Sequence, residues 1–228
     1  MLNRRSLLSY IVPLALVCLS VVSAKADMYG FVPITHNSGA LADAVAKQLF
    51  LEVTQPASNV LFTFLNDGPM LSTITHTYFD DAGAVLNAIL TPINGTGVSF
   101  SIGGNPANLN GGVGAPYHFT ADFRAAANNP AGLNKNGVDI GQNVQIPFTL
   151  RSAKTLSDVI ALLNAGATDP FDTTNTLRVG IHVQAIGGVG GTSDAFLLTP
   201  PAPVPAPAAA ILGMLGFGTV GWRLRRFA

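Results

Sequence analysis

Every carboxylate of this chain lies between two apolar segments, and arginines stand at the outer side of each segment. The twelve acids run from Asp27 to Asp194. Arg4 and Arg5 precede the first apolar run, Leu7 to Val22, and Arg223, Arg225 and Arg226 follow the second, Ala208 to Trp222. Two uncharged runs at opposite ends do not suit the surface of a water-soluble domain. They confine the folded unit to residues 27–198, long enough for one domain with its own core. A formal net charge of zero hides the segregation. Within the acidic span only Lys47, Arg124, Lys135, Arg151, Lys154 and Arg178 are basic, six bases against twelve acids, a net charge of −6. A domain of that sign repels phosphate backbones, which argues against nucleic acid as a partner.

The N-terminal end has a basic start, an apolar run interrupted by Pro13, and the small-x-small sequence Ala24-Lys25-Ala26. That order predicts a secretory signal peptide over 1–26, cut by signal peptidase after Ala26. The only cysteine, Cys18, lies inside the apolar run behind Val17, where a lipid-modified signal needs a small residue. The outer domain therefore has neither a disulfide nor a thiol nucleophile. At the other end, residues 199–207 read TPPAPVPAP, with five prolines, and predict an extended polyproline-like spacer. Ala208 to Trp222 has fifteen residues without a charge, somewhat short of the roughly twenty of a full span. Flanking Leu224 and Phe227 lengthen it, so 208–228 is expected to be a transmembrane helix with a basic stop at Arg223, Arg225 and Arg226. The positive-inside rule keeps that stop cytoplasmic and the acidic domain outside.

Val204-Pro205-Ala206-Pro207, the Gly-rich apolar segment and the terminal arginine cluster together resemble the PEP-CTERM sorting signal of Gram-negative bacteria. The Pro-Glu-Pro of that family is Pro205-Ala206-Pro207 here. The resemblance covers about the last 25 residues. It implies handling by exosortase, an integral membrane protease or transpeptidase, and an association with exopolysaccharide at the cell surface or in a biofilm matrix. It also implies anchoring in the inner membrane before release or attachment outside. Leu61 to Phe64 with Gly68-Pro69, Ile74 to Asp81, Leu177 to Gln184 and Ser193 to Phe196 are similar to the ectodomains of a group of such proteins, a likeness that implies placement and no activity.

Between the ends, short runs of β-branched and aromatic residues are bounded by turn formers. Leu49–Val53, Val60–Leu65, Ile74–Phe79, Val85–Leu90, Val98–Ile102, Asn143–Leu150, Leu177–Ile186 and Ala195–Leu198 predict eight strands. Pro147 predicts an edge or a bulge. One helix is expected: Thr155 and Asp158 are spaced as a capping box, Leu156, Val159, Ile160 and Leu163 repeat at helical spacing, and Gly166 stands as a C-cap. The expected fold class is all-β, a β-sandwich with a jelly roll as one arrangement, plus one short helix. Gly103–Gly114 and Asn128–Gly141 read as long loops suited to binding or to local disorder.

Chemistry is sparse in this pattern. His36, His76, His118 and His182 have no second histidine at i+2 or i+4, so no zinc signature exists. His76 and His182 fall at polar phases of strands and are expected at, or partly below, the surface. No G-x-S-x-G elbow is present. The Gly-rich run 187–191 follows a strand without a helix behind it and reads as a loop rather than a phosphate cradle. Glu52 is the only glutamate, and no pair of carboxyls points to glycoside hydrolysis. Asp67 in a turn with Asp80 and Asp81 at a strand end form a candidate Ca²⁺ set, which Ser193-Asp194 could join, against the alternative of solvated turn aspartates. No other cofactor is expected. The functional expectation is a non-catalytic structural or interaction protein. A carbohydrate-binding module is the alternative, with Tyr29, Tyr78 and Tyr117 as the aromatics available for stacking.

Overall fold

The computed structural model describes residues 28–130, 132–188 and 192–201. The expected signal segment, the sorting motif Val204–Pro207, the apolar segment from Ala208 and the arginine cluster lie outside them. No helix among the described residues is long and apolar enough to cross a membrane.

The described chain is mostly antiparallel β-structure. It forms β1 (Met28–Pro33), α1 (Ala40–Ala46), β2 (Leu49–Thr54), β3 (Val60–Asn66), β4 (Thr73–Asp80), β5 (Leu86–Ile89), β6 (Ile93–Asn94), β7 (Phe100–Ile102), β8 (Phe123–Ala127), β9 (Gln142–Leu150), α2 (Leu156–Thr168), β10 (Arg178–Gln184) and β11 (Ser193–Thr199). The eight expected strands are present. β1, β6 and β8 are additional, and two helices replace the one expected. In place of the two separate sheets of a sandwich, the strands form one sheet in the order β5-β9-β3-β2-β1-β11-β10-β4-β8-β7, with β6 also on β9. Strand β1 makes this continuity. Its Met28 and Tyr29 pair with β2, and its Gly30 to Pro33 pair with β11.

The sheet curls into a nearly closed barrel. Its two ends meet where the Asn94 side chain on β6 holds β7, accepting from Phe100 N at 2.7 Å and donating to Phe100 O at 3.3 Å. The interior alternates with the strand period and is rich in aromatic rings. Phe79 lies 4.8 Å from Phe148 and 5.1 Å from Phe62, ring centre to ring centre. Each such side chain fully removed from water contributes about 1.5–3 kcal/mol. Phe123 of β8 meets Phe148 of β9 across the closure at 5.3 Å.

Pro147 does not lie on an edge strand, since β9 is flanked by β3 and β5. Its carbonyl accepts from Leu90 N at 2.8 Å. The nitrogen of a strand residue faces the same side as its carbonyl, so the missing donor falls where β5 has already ended and the β3 ladder keeps all its bonds.

Helix α2 starts as its sequence predicts. Thr155 Oγ1 accepts from Asp158 N, and Asp158 Oδ2 accepts from Thr155 N at 2.8 Å. Val159 and Leu163 enter the core, with Leu156 and Ile160 partly buried beside them. Gly166 is not the cap, because the helix continues to Thr168. A Cβ at this position would lie 2.8 Å from Leu177 O and 2.9 Å from Arg178 Cγ, so glycine allows close helix–strand packing. Helix α1 has only seven residues and no side-chain cap at Gly39. It buries Ala42, Val45 and Ala46 against the barrel.

Candidate functional site

The outer face of β4 and β10 carries a row of polar side chains that the fold covers. The two-residue period puts His76, Tyr78 and Asp80 on that face. The register sets them opposite His182, Gly180 and Arg178. Residues 103–121, between β7 and β8, pass over this row as a strap. Gly180 leaves the room: a Cβ there would lie 2.6 Å from Leu109 Cδ2. Leu109 and Phe119 are fully buried with Tyr78, Ala195 and Leu197 in an apolar cluster of their own.

Polar side chains latch the strap along its length. Arg124 Nε donates to Gly104 O at 3.0 Å, and the Tyr78 hydroxyl donates to Pro106 O at 3.2 Å. His76 Nε2 lies 3.0 Å from Asn105 O. That carbonyl can only accept, which assigns the ring hydrogen to Nε2. Asp80 Oδ2 accepts from Thr120 N at 2.8 Å. Arg178 gathers three segments. Nη1 donates to Tyr117 O at 2.6 Å and to Pro170 O at 2.9 Å, and Nη2 donates to His118 O and to Asp80 Oδ2. Its side chain is 2 % exposed and that of Asp80 7 %. The guanidinium also sits 5.4 Å from the centre of the Phe119 ring, a favourable cation–π distance.

Burial sets the electrostatics here. His182 is pushed down to about 4, chiefly by desolvation and then by His76, against the opposing pull of Asp194. Desolvation also lowers His76, partly offset by its bond to Asn105. The Tyr78 hydroxyl is raised by burial despite nearby Arg124. The two imidazoles lie 5.7 Å apart. Thr75 is the extra residue at a break in register between β4 and β10. Its hydroxyl is 3.0 Å from His76 Nδ1 and 3.1 Å from His182 O. At neutral pH the row thus presents neutral rings and a protonated phenol, with donors directed at strap carbonyls. Chemically, it fastens a loop.

The histidines expected near the surface are therefore covered, His76 at 3 % exposure and His182 at 6 %. Their polar phase is real, but His76 faces the strap at Asn105 and His182 lies against His76 and Thr75 instead of water. The 103–114 loop is the greater part of that cover. The expected Ca²⁺ ligands do not come together. Asn66 bonds to Ser72, which holds Asp67 near the start of β4, while Asp80 ends the strand, about 23 Å away along eight residues. Asp80 is paired with Arg178. Asp81 is buried and accepts from Val85 N at 3.0 Å and Leu86 N at 2.8 Å. Burial raises its carboxyl, those two donors lower it, Asp122 raises it and Arg151 lowers it, with a net upward result. Neither Asp80 nor Asp81 is a solvated turn residue. Asp194 accepts from Thr35, Asn37 and Ser38 and pins the turn after β1. Burial raises this carboxyl, and the donors more than offset that, leaving it below the ordinary value. Among the described residues no group of three His, Cys, Asp or Glu could hold a metal ion.

Of the candidate tyrosines, Tyr29 and Tyr78 are fully buried, and Tyr29 donates to Asn164 Oδ1 at 3.0 Å. Tyr117 is half-buried on the strap. Its ring lies 5.4 Å from that of Phe171, which is 51 % exposed. Phe171 and the latching role of Arg178 escaped the sequence reading. The signal for Arg178 was partial: it lies near the start of the strand expected over 177–186, and Asp80, beside Asp81, directly follows the strand expected over 74–79, but only the register sets the two opposite each other. No family model matches the chain, and neither a curated protein nor a solved structure matches it.

Proposed function

We propose that the chain is an exported protein whose outer domain makes contacts at the cell surface or in a biofilm matrix without catalysing a reaction. In this reading the C-terminal pattern, with Val204–Pro207 and the arginine stop, is a sorting signal handled by an exosortase-like membrane protease, and signal peptidase removes residues 1–26. The observation that carries the non-catalytic reading is the use made of acid–base side chains. His76, Tyr78, Asp80 and Arg178 are all engaged in holding the strap. Charge placement supports export, with every acid between two apolar runs flanked by arginine. A reporter that folds only outside the cytoplasm, inserted within 128–141, is expected to be active. Intact mass of the envelope and medium forms is expected to lack residues 1–26 and, in any released form, the apolar segment after Pro207. A reporter active only in the cytoplasm would overturn the reading.

A second reading, binding of an exopolysaccharide, is favoured by the Tyr117–Phe171 pair. Arg178 Nη1 holds the carbonyls of both Tyr117 and Pro170, so the two rings are positioned by one buried cation. Sugars stack on such exposed aromatic faces. Retention of the protein on a polysaccharide affinity gel is expected to fall on the order of tenfold for Tyr117→Ala or Phe171→Ala. Unchanged retention in both variants would remove these rings from consideration.

A further inference from the structure

Three neighbouring donors on the outer face end on three successive carbonyls of the strap. Arg124 on β8 stands opposite Tyr78 on β4 in the ladder, and His76 lies two residues along the same face. The His76 and Tyr78 rings stack, 5.9 Å apart at an interplanar angle of 5°. Arg124 Nε, His76 Nε2 and the Tyr78 hydroxyl meet the oxygens of Gly104, Asn105 and Pro106 in that order. Among the described residues Arg124 has no ion pair, and Nε is its only bonded nitrogen. Asp122, two positions before it, accepts from Asp81 N instead. The covering piece is slight. Gly104, Asn105 and Ala107 are exposed, so little apolar surface holds it down. Gly104 has a φ of +115°, and a Cβ there would lie 2.3 Å from Ala126 Cβ, so only glycine brings the chain this close. The strap is fixed again at Asn108, whose Oδ1 accepts from Ala121 N at 2.8 Å, and at buried Leu109.

We propose that residues 104–107 are a flap standing in an oxyanion site, and that an oxyanion group of a ligand displaces it to meet Arg124, His76 and Tyr78, more readily in acid. The donors ask for that class. A carbonyl brings a guanidinium only a partial charge and one oxygen, whereas a carboxylate, sulfate or phosphate brings full charge and at least two oxygens. The surroundings of His76 set the direction with pH. Burial holds its ring below the ordinary 6.5, partly offset by the bond to Asn105. Gly104 is part of that cover, since a Cβ on it would lie 3.6 Å from His76 Cδ2. A base lowered by its cover binds a proton more readily once uncovered, so falling pH favours the open flap. His182 on β10, 5.7 Å from His76, adds a second cation in acid. Asp194 on β11 accepts from Thr35, Asn37 and Ser38. Arg178 and Asp80 pair with each other at the far end of the row and keep residues 117–120 in place. The site owes nothing to export or to the Tyr117–Phe171 pair.

The test uses the full chain, purified, with sulfate and galacturonate as separate probes at constant ionic strength. Both hold their charge between pH 7.5 and 5, so any pH dependence belongs to the protein. Binding of at least one probe is expected to be about tenfold tighter at pH 5 than at pH 7.5. By reciprocity that probe raises the His76 titration midpoint, read by nuclear magnetic resonance, by about one pH unit. Saturation is expected to abolish the magnetisation transfer between the His76 ring and Gly104 that the closed flap gives. Arg124→Gln is expected to weaken binding about tenfold, and Lys154→Gln, an exposed charge outside the row, to leave it unchanged. The ring titration needs no variant, so the test stands even if Arg124→Gln folds poorly. Binding of sulfate alone assigns a tetrahedral group, and of galacturonate alone a carboxylate. Binding of neither probe would overturn the proposal. So would equal affinity at the two pH values, equal losses in the two variants, or a Gly104 contact that persists at saturation.

Discussion

Arg178→Ala is expected to destabilise the fold by about 3–5 kcal/mol, the cost of removing one partner of a buried ion pair. The reason lies in what remains. Asp80 stays in its covered position, 5 % exposed as a whole residue, with Thr120 N as its remaining donor. The carbonyls of Tyr117, His118 and Pro170 lose their shared donor at the same time. Removing both charges is a different perturbation. Arg178→Met with Asp80→Leu leaves no unpaired ion and fills similar volume, so the double variant is expected to recover a large part of the loss. Urea unfolding measures both. The strap has a second reporter, because Tyr78 exchanges its packing against Leu109 and Phe119 for solvent if the strap lifts. Arg178→Ala is expected to increase accessibility at Tyr78, seen by chemical modification or fluorescence. A loss under about 1 kcal/mol in the single variant would mean that Arg178 only decorates the strap. A double variant as unstable as the single would mean that packing of the arginine stem, and not the stranded charge, sets the cost.

The strands that sequence patterning anticipates are those whose local chemistry and tertiary role agree. Leu177 to Ile186 alternates because one face of β10 looks into the barrel, and Val60 to Leu65 is bracketed by turn formers. The capping box of α2 is local, so it was legible from Thr155 and Asp158 alone. What patterning misses has a common physical cause: it depends on partners distant in sequence. β1 is a strand because β11 and β2 pair with it, as Gly30 with Thr199 and Tyr29 with Leu51, partners far off in the sequence. β8, with the sequence FRAAA, has little β-propensity of its own and is held by β4 and β7. Gly166 resembles a cap in sequence, yet it is needed within the helix by Leu177 and Arg178, which lie eleven and twelve positions on. The polar phases of β4 and β10 predict a water-facing row. In the fold they face a strap whose anchor, Leu109, sits in a Gly/Asn-rich stretch that reads as plain loop. Period alone reports that a face is not the core and leaves open what covers it.

Between pH 6.5 and 4 the protein is expected to lose on the order of 3 kcal/mol of stability through His182 alone. Its folded value is near 4 against an ordinary 6.5. A base with a depressed value binds fewer protons folded than unfolded in that window, so acid favours the unfolded chain. Above pH 6.5 the ring is neutral in both states and contributes no slope. Below about 4 it is charged in both, and the loss is complete. The groups around the ring fix the direction. His76 on β4 lies across from it and is itself lowered, adding to the loss as pH falls. Asp194 on β11 pulls the other way and limits the shift. Asp81, raised by burial, opposes the trend in the carboxylate range. A comparison of His182→Gln with the parent cancels that contribution, because Asp81 is common to both. The variant is expected to lose about 3 kcal/mol less than the parent between pH 7 and 4, measured by urea unfolding at each pH. Since Asn105 O is latched by His76 beside this ring, exchange of strap amides is expected to accelerate over the same interval in the parent and much less in the variant. Parallel pH profiles for the two proteins would show that His182 takes up its proton without penalty, and so that the strap does not keep water from the ring.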